Sequence, residues 1–205
     1  QLGKGKAHDE LHFDGHFTRT SLSTVEHIFA GLASDMNGLM SGDLSLRGTP
    51  DEPELTGEIT LQKAGFTIDY LNTHYTFSDK IKFNEKSIEF RNITLNDPQG
   101  NKAILNGKIT HKHFTDFGMQ ITVKPENCMV LNTNEAQNDL FYGQAFATGL
   151  VTLTGTFENV NMDINLTSNK GTIINLPLTT PEEVSENSYI VFVKHDSIAN
   201  LIPEN

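Results

Sequence analysis

The sequence predicts an all-β fold, with antiparallel strands and one short amphipathic helix near the start. Three observations carry this expectation. Apolar and polar residues alternate with a period of two from Met40 to Leu176, as half-buried strands require. Turn chemistry interrupts the alternation at short intervals, at Gly48-Thr-Pro-Asp51, Asn84-Glu-Lys86 and Asp97-Pro-Gln-Gly100. A formula of Gly, any, apolar, any, Leu, any, Gly, Thr appears at residues 42–49 and returns at residues 149–156.

Taken in order, residues 1–20 are polar and rich in histidine. Leu11, Phe13 and Phe17 share one parity, while His12, Asp14 and His16 share the other, which suits a strand. His8, His12 and His16 would share one face of a helix, as metal ligands can. Gly3, Gly5 and Gly15 oppose that helix, and on a strand the outer pair would stand about 26 Å apart. A solvated strand face is therefore expected, with metal binding as the alternative.

Residues 23–36 predict the helix. Ser23 and Glu26 have capping-box spacing, Val25, Ile28, Phe29 and Leu32 recur at helical spacing, and Gly38 is placed to end it. About three turns are too few to be stable alone, so the stripe should dock on the apolar face or open end of the sheet.

Residues 38–68 read as strand, sharp turn, strand, turn, strand. In the first strand Leu44 and Leu46 oppose Asp43, Ser45 and Arg47; in the next, Ile59 and Leu61 oppose Glu58, Thr60 and Gln62. Alternation continues through Phe66, Ile68, Phe77, Phe83, Ile88, Phe90, Ile93 and Leu95. Further strands are expected at 103–110, 118–123, 128–131, 145–154, 160–167 and 172–176. About twelve short, mostly hairpin-connected strands imply an antiparallel architecture. The β domain is expected over residues 1–178, an acidic linker over 179–188, and a tail over 189–205 whose Tyr189-Ile-Val-Phe-Val193 is apolar on both faces.

The totals exclude several roles. A formal charge of −11 without a basic cluster disfavours nucleic acid and anionic membrane surfaces. The single Cys128 forms no internal disulfide and reads as a small buried hydrophobe. No apolar run of 18 residues is present to span a bilayer as a helix. The first residue is Gln1, so the chain is expected to be a segment of something longer, addressed by signals outside it. A membrane barrel is disfavoured by short strands and the lack of aromatic girdles.

No catalytic arrangement is legible, so no enzyme and no cofactor are expected. His111 and His113 share a predicted strand face and read as exposed, and the other histidines have no nucleophile or carboxylate set around them. Asp97 and Gly100 are accounted for by a turn. No glycine-rich loop opens a helix as phosphate binding requires.

Residues 21–178 carry an ordered set of features. A short helix leads into Gly38-x-x-x-Gly42-x-Leu-x-Leu-x-Gly48-Thr and Pro53-x-Leu-x-Gly57-x-Ile, followed by Leu71-Asn-Thr-x-Tyr75. Then come Leu95-x-Asp97-x-x-Gly100-x-x-Ala103-x-Leu-x-Gly107-x-Ile, His111-x-x-Phe114, Tyr142-Gly143-x-Ala-x-Ala-x-Gly149 and Gly171-Thr-x-Ile. Together these resemble the TamB family of bacterial envelope proteins, related to AsmA-like proteins, in a variant similar to those of Bacteroidetes-type envelopes. The resemblance implies a periplasmic location, with the parent protein anchored in the inner membrane. It also implies a folded-over, curled antiparallel sheet, or β-taco, with an apolar interior. Its implied roles are phospholipid movement between inner and outer membranes and outer-membrane protein assembly with a β-barrel partner.

On that reading the apolar parity lines a groove for phospholipid acyl chains. The expected lining is Leu44, Leu46, Ile59, Leu61, Phe66, Ile68, Phe77, Phe83, Ile88, Phe90, Ile121, Val151, Leu153, Ile164 and Leu166. Two alternatives stand beside it. One is a module that receives extended polypeptide by strand addition at a sheet edge; the other is a closed structural sandwich in which the same residues are ordinary core.

Overall fold

The computed structural model describes residues 10–177. The expected linker at 179–188, the tail at 189–205 and His8 lie outside these residues. The described chain forms one antiparallel sheet that does not close into a barrel. Its strands are β1 (Leu11–Ser21), β2 (Ala33–Gly48), β3 (Pro53–Ile68), β4 (Thr73–Asn84), β5 (Ser87–Asn96), β6 (Lys102–Lys112), β7 (Thr115–Glu126), β8 (Cys128–Thr133), β9 (Tyr142–Thr156), β10 (Val160–Ser168) and β11 (Ile173–Asn175). Neighbours in sequence are neighbours in the sheet from β1 to β7. β9 then takes β7 and β8 along one side, and β10 and β11 along the other.

The repeated formula builds the same hairpin twice. Gly42 and Gly149 have φ of +150° and +151°, and a Cβ on either would lie 2.1 Å from a carbonyl oxygen of the facing strand, that of Glu58 or Asn165. The facing backbone therefore comes closer than any side chain would allow. Gly48 and Gly155 enter the turns at φ +93° and +107°. Thr49 then exchanges backbone hydrogen bonds with Glu52, and Thr156 with Asn159, at 3.1–3.2 Å. Each threonine hydroxyl shares, at 3.1 Å, the same backbone N–H of that partner that its carbonyl accepts.

Several strands are longer than the alternation predicts, because bulges hide their continuity. The second turn expected within 38–68 does not form: β3 runs unbroken for 16 residues. Lys63, at φ +48°, adds one residue between Leu61 and Ala64, and its N–H is satisfied by the Ser78 hydroxyl at 2.8 Å. The bulge changes parity, so Ile59, Leu61, Ala64, Phe66 and Ile68 all face one way. Asn92, at φ +51°, does the same between Phe90 and Ile93 in β5. With β2 and β3 at 16 residues and β9 at 15, strand length does not exclude a membrane barrel. What opposes a barrel is the open strand order, with β1 and β10 as lateral edges that no other described strand pairs.

The predicted helix is shorter and of another kind. Leu22–Phe29 is a 3₁₀ helix, Ala33–Met36 already belong to β2, and Gly38 sits inside that strand. The Ser23–Glu26 capping box is not made. Glu26 instead accepts the Met36 N–H at 3.1 Å, which commits the chain to the strand. Leu22 is buried with Met40, Ile59, Leu61 and Ala64, with Val25 packed beside them, so this segment does dock on the apolar face. Ile28 and Leu32 stay 66% and 60% exposed, and only the start of the expected stripe is covered.

Candidate functional site

Paired residues on adjacent antiparallel strands project to the same side, so register alone follows one face across the sheet. From β1 the line reads Phe13, Leu46 and Leu55, and beside it Gly15, Leu44, Gly57 and Phe83. Phe83 pairs with Ile88 and Ile88 with Ile109, while Phe90 pairs with Gly107 and Gly107 with Ile121. Ile121 meets Leu153 and Leu153 meets Met162; Val151 meets Ile164, and Gly149 meets Leu166. Ile59 pairs with Ile81, Ala64 with Phe77, Phe66 with Tyr75 and Ile68 with Thr73. All fifteen apolar positions singled out from the sequence thus lie on one face.

That face is the inside of a curl. Phe66 and Ile68 of β3 share one apolar cluster with Tyr75, Phe90, Ile93, Ala103, Val123 and Cys128, and β4 meets β8 across the sheet's own hollow. Polar bonds hold this end together. The Tyr75 hydroxyl donates to the Met129 carbonyl at 2.8 Å, the Asn132 N–H to the Leu71 carbonyl at 2.9 Å, and the Asn72 amide to the Asn132 carbonyl at 2.6 Å. Asp97 accepts four N–H groups, including that of Met129 on β8. A turn therefore explains only part of Asp97, since its carboxylate also reaches across the curl.

Electrostatics follow this packing. Burial pushes the Asp97 carboxyl upward, but the Asn101 amide and the N–H groups of Met129, Asn101 and Gln99 outweigh it and hold the group below the usual range. Burial, with the nearby Asp97 charge, pushes the Cys128 thiol up to about 12. Burial is also the main reason the Tyr75 hydroxyl is raised. These shifts mark a packed polar seam, and none supplies a nucleophile with a base.

Towards the opposite end the inner face is only half-buried. Leu44, Leu46, Phe83, Ile88, Ile121 and Leu153 all retain solvent access, whereas Ile59 and Leu61 are buried. The lateral rims are more open still: Phe13 on β1 is 64% exposed, and Met162 and Ile164 on β10 are 59% and 55% exposed. Phe13, Met162 and Tyr75 belong to the inner face but were not singled out. The parity of Phe13 continues through its pairing onto Leu46, and Met162 shares the parity of Ile164.

The outer face is charged and solvated. Arg47 bonds the Asp14 carboxylate at 2.9 and 3.1 Å, Lys80 meets Glu58 at 2.6 Å, and Arg91 meets Glu89 at 2.6 Å. His16 lies 2.6 Å from Asp43, and His12 lies 3.5 Å from Asp14. Both histidines project outward from β1, each beside one carboxylate. Among the described residues no three His, Cys, Asp or Glu side chains gather in metal-binding geometry. His111 differs from expectation: it is buried, stacks on Phe114 at 4.5 Å, and has its pKa lowered by burial and then by His113. β6 ends at Lys112, so His113 lies in the turn and shares no strand face with His111.

A single antiparallel sheet curled over an apolar, unclosed hollow defines a β-groove protein of the β-taco class. The TamB C-terminal domain model matches residues 21–95 and 91–204, and the chain belongs to the TamB family of periplasmic envelope proteins. No curated protein and no solved structure matches the chain. Among the described residues no helix is long and apolar enough to cross a membrane.

Proposed function

We propose that the inner face holds phospholipid acyl chains and passes them along the groove, as part of a path between inner and outer membranes. One observation carries this reading. The apolar stripe runs through every strand from β1 to β10 and ends at both lateral edges on exposed apolar side chains, not on a polar rim. Water penalises such a surface, and an acyl chain relieves the penalty by about 0.8 kcal/mol per buried CH₂. The role is one of binding and passage, without a chemical step. Native mass spectrometry after mild extraction should find phospholipid on the protein, and photocrosslinkers replacing Phe66, Phe90 and Leu153 should label it. Lipid-free protein with no crosslinks from any of the three would overturn the reading in favour of a structural sheet.

A second reading, strand addition by an extended outer-membrane polypeptide, is favoured by the edge of β10 that no other described strand pairs. It predicts capture of extended peptides that a proline within β10 abolishes.

A further inference from the structure

The β6–β7 hairpin tip stands at the end of the sheet away from the Asp97 seam. Ile109 faces the inner side with Ile88 and Met119, so His111, two residues further along β6, carries that parity to the rim. There its imidazole stacks on Phe114 at 4.5 Å and 14°, and lies 5.9 Å from Phe117, which stacks on Phe157 at 5.4 Å. Only 6% of His111 is exposed.

Two bonds place the residue. Its backbone N–H donates to the Lys86 carbonyl on the β4–β5 turn at 3.1 Å, and its Nδ1 accepts the Phe114 N–H at 3.3 Å. A backbone N–H can only donate, so Nδ1 carries the lone pair and the ring proton sits on Nε2. A second proton, on Nδ1, would turn this acceptor into a donor facing a donor and would put a charge in a buried aromatic site. The charged and titratable groups on the surrounding elements are Glu85 and Lys86 of the β4–β5 turn, Lys112 and His113 of the hairpin, Asp116 of β7 and Glu158 of the β9–β10 turn. Among the described residues no carboxylate bonds His111; its one side-chain partner is the Phe114 N–H.

The turn is held against its local preference. Lys112 pairs with Thr115, whose hydroxyl donates to the Lys112 carbonyl at 2.6 Å, and this leaves a two-residue loop. In it His113 and Phe114 have φ of +49° and +63°. Glycine and asparagine fill such positions readily, whereas a bulky side chain there crowds its own backbone. The Nδ1 of His113 is also buried without a hydrogen-bond partner. The stack and the bond to His111 are what hold Phe114 in place.

We propose that this tip is a proton-released latch, which holds Phe114 over the rim of the inner face while His111 is neutral and frees it when His111 is protonated. The hairpin beneath stays formed, because β6 and β7 pair without interruption from Lys102 to Thr110. Release opens the imidazolium and the inner face to solvent at that rim. The latch belongs to the fold and stands whether or not lipid occupies the hollow.

The test is an NMR titration of the whole chain from pH 8.0 to pH 4.5. Burial, and then the nearby His113, lower the His111 pKa, so release should have its midpoint below the ordinary 6.5. The carbon-bound ring protons of His111 and a 4-fluorophenylalanine at position 114 should titrate with one midpoint. Across it the exchange protection of the Phe114 amide should fall at least tenfold, while residues 93–95 of β5 keep theirs. In His111→Phe the Phe114 signals should not respond to pH, and in His113→Gln the transition should persist. Different midpoints for the two rings, or no release down to pH 4.5, would overturn the latch. So would a transition that survives in His111→Phe or vanishes in His113→Gln, or one in which residues 93–95 lose protection together with Phe114.

Discussion

The Asp97 carboxylate on the β5–β6 turn accepts the Met129 backbone N–H from β8 at 2.8 Å, joining strands from opposite sides of the curl. The same residue is tied locally by Gln99 and Asn101 at 2.8–2.9 Å, so the turn is rigid before it reaches across. Tyr75 fixes the carbonyl of the same Met129. One residue of β8 is thus gripped at both its backbone N–H and its carbonyl, and this seam closes one end of the hollow.

Asp97→Ala should destabilise the fold by about 3 kcal/mol, since it removes charge-assisted bonds and leaves the buried Met129 N–H unpaired. Tyr75→Phe should cost about 1 kcal/mol. The two should be non-additive in a double-mutant cycle, because they hold the same residue, Met129, at its N–H and its carbonyl. Urea denaturation checks both values; additive, sub-kilocalorie effects would mean the seam contributes little.

The sign of the pH effect follows from the same group. Because the folded-state pKa of Asp97 is depressed, its contribution is present above the ordinary carboxylate range and is lost as pH falls through it towards the folded-state value. Stability measured from pH 7 to pH 3 should therefore fall more steeply in the parent than in Asp97→Ala. Parallel curves would assign acid sensitivity to other carboxylates.

The paired glycines of the repeat give a matched experiment. Alanine at position 42 or 149 would drive a Cβ into a carbonyl oxygen of the facing strand. Gly42→Ala strains β2, which is held between β1 and β3, and should cost about 2–3 kcal/mol of global stability. Gly149→Ala strains β9 against β10, which among the described residues is paired on one side only, and should instead appear as faster exchange confined to residues 160–168. Hydrogen exchange on both variants separates local from global opening.

How much of this was legible depended on whether a residue's conformation is written in its type. The Gly-Thr hairpins were readable because glycine at positive φ and a threonine-capped turn both have sequence signatures. The apolar face was readable because parity survives from strand to strand. Lys63 and Asn92 hid the continuity of β3 and β5, since a lysine or asparagine at positive φ resembles any other polar strand residue. The helix was overextended because Ser23 and Glu26 match a capping box by spacing alone, while Glu26 is taken by Met36. His111 looked exposed because only the fold brings Phe114 and Phe117 against it.

Cys128 is fully buried beside Asp97, which together push its thiol up to about 12, so almost no thiolate exists at pH 8. Reaction with a disulfide reagent at pH 8 should be slower than that of a free thiol by at least a thousandfold and should accelerate only with unfolding. Rapid labelling of folded protein would show that the seam opens readily in the native state.

The groove reading can be separated from folding at the β10 rim, where side chains contribute little to the core. Ile164 faces inward and is 55% exposed, while its neighbour Asn165 faces outward on the same edge strand. A glutamate at either position adds the same charge to the same backbone, so both variants should stay within about 0.5 kcal/mol of the parent in stability. Their effects on lipid should diverge. Ile164→Glu places a carboxylate where an acyl chain would lie, and burying that charge beneath the chain without a partner is costly enough to expel the chain. Co-purifying phospholipid should therefore fall at least tenfold in Ile164→Glu and remain unchanged in Asn165→Glu. Equal lipid content in the two folded variants would mean that the inner face at β10 is not where lipid sits. Equal loss in both would point to surface charge, not to the groove.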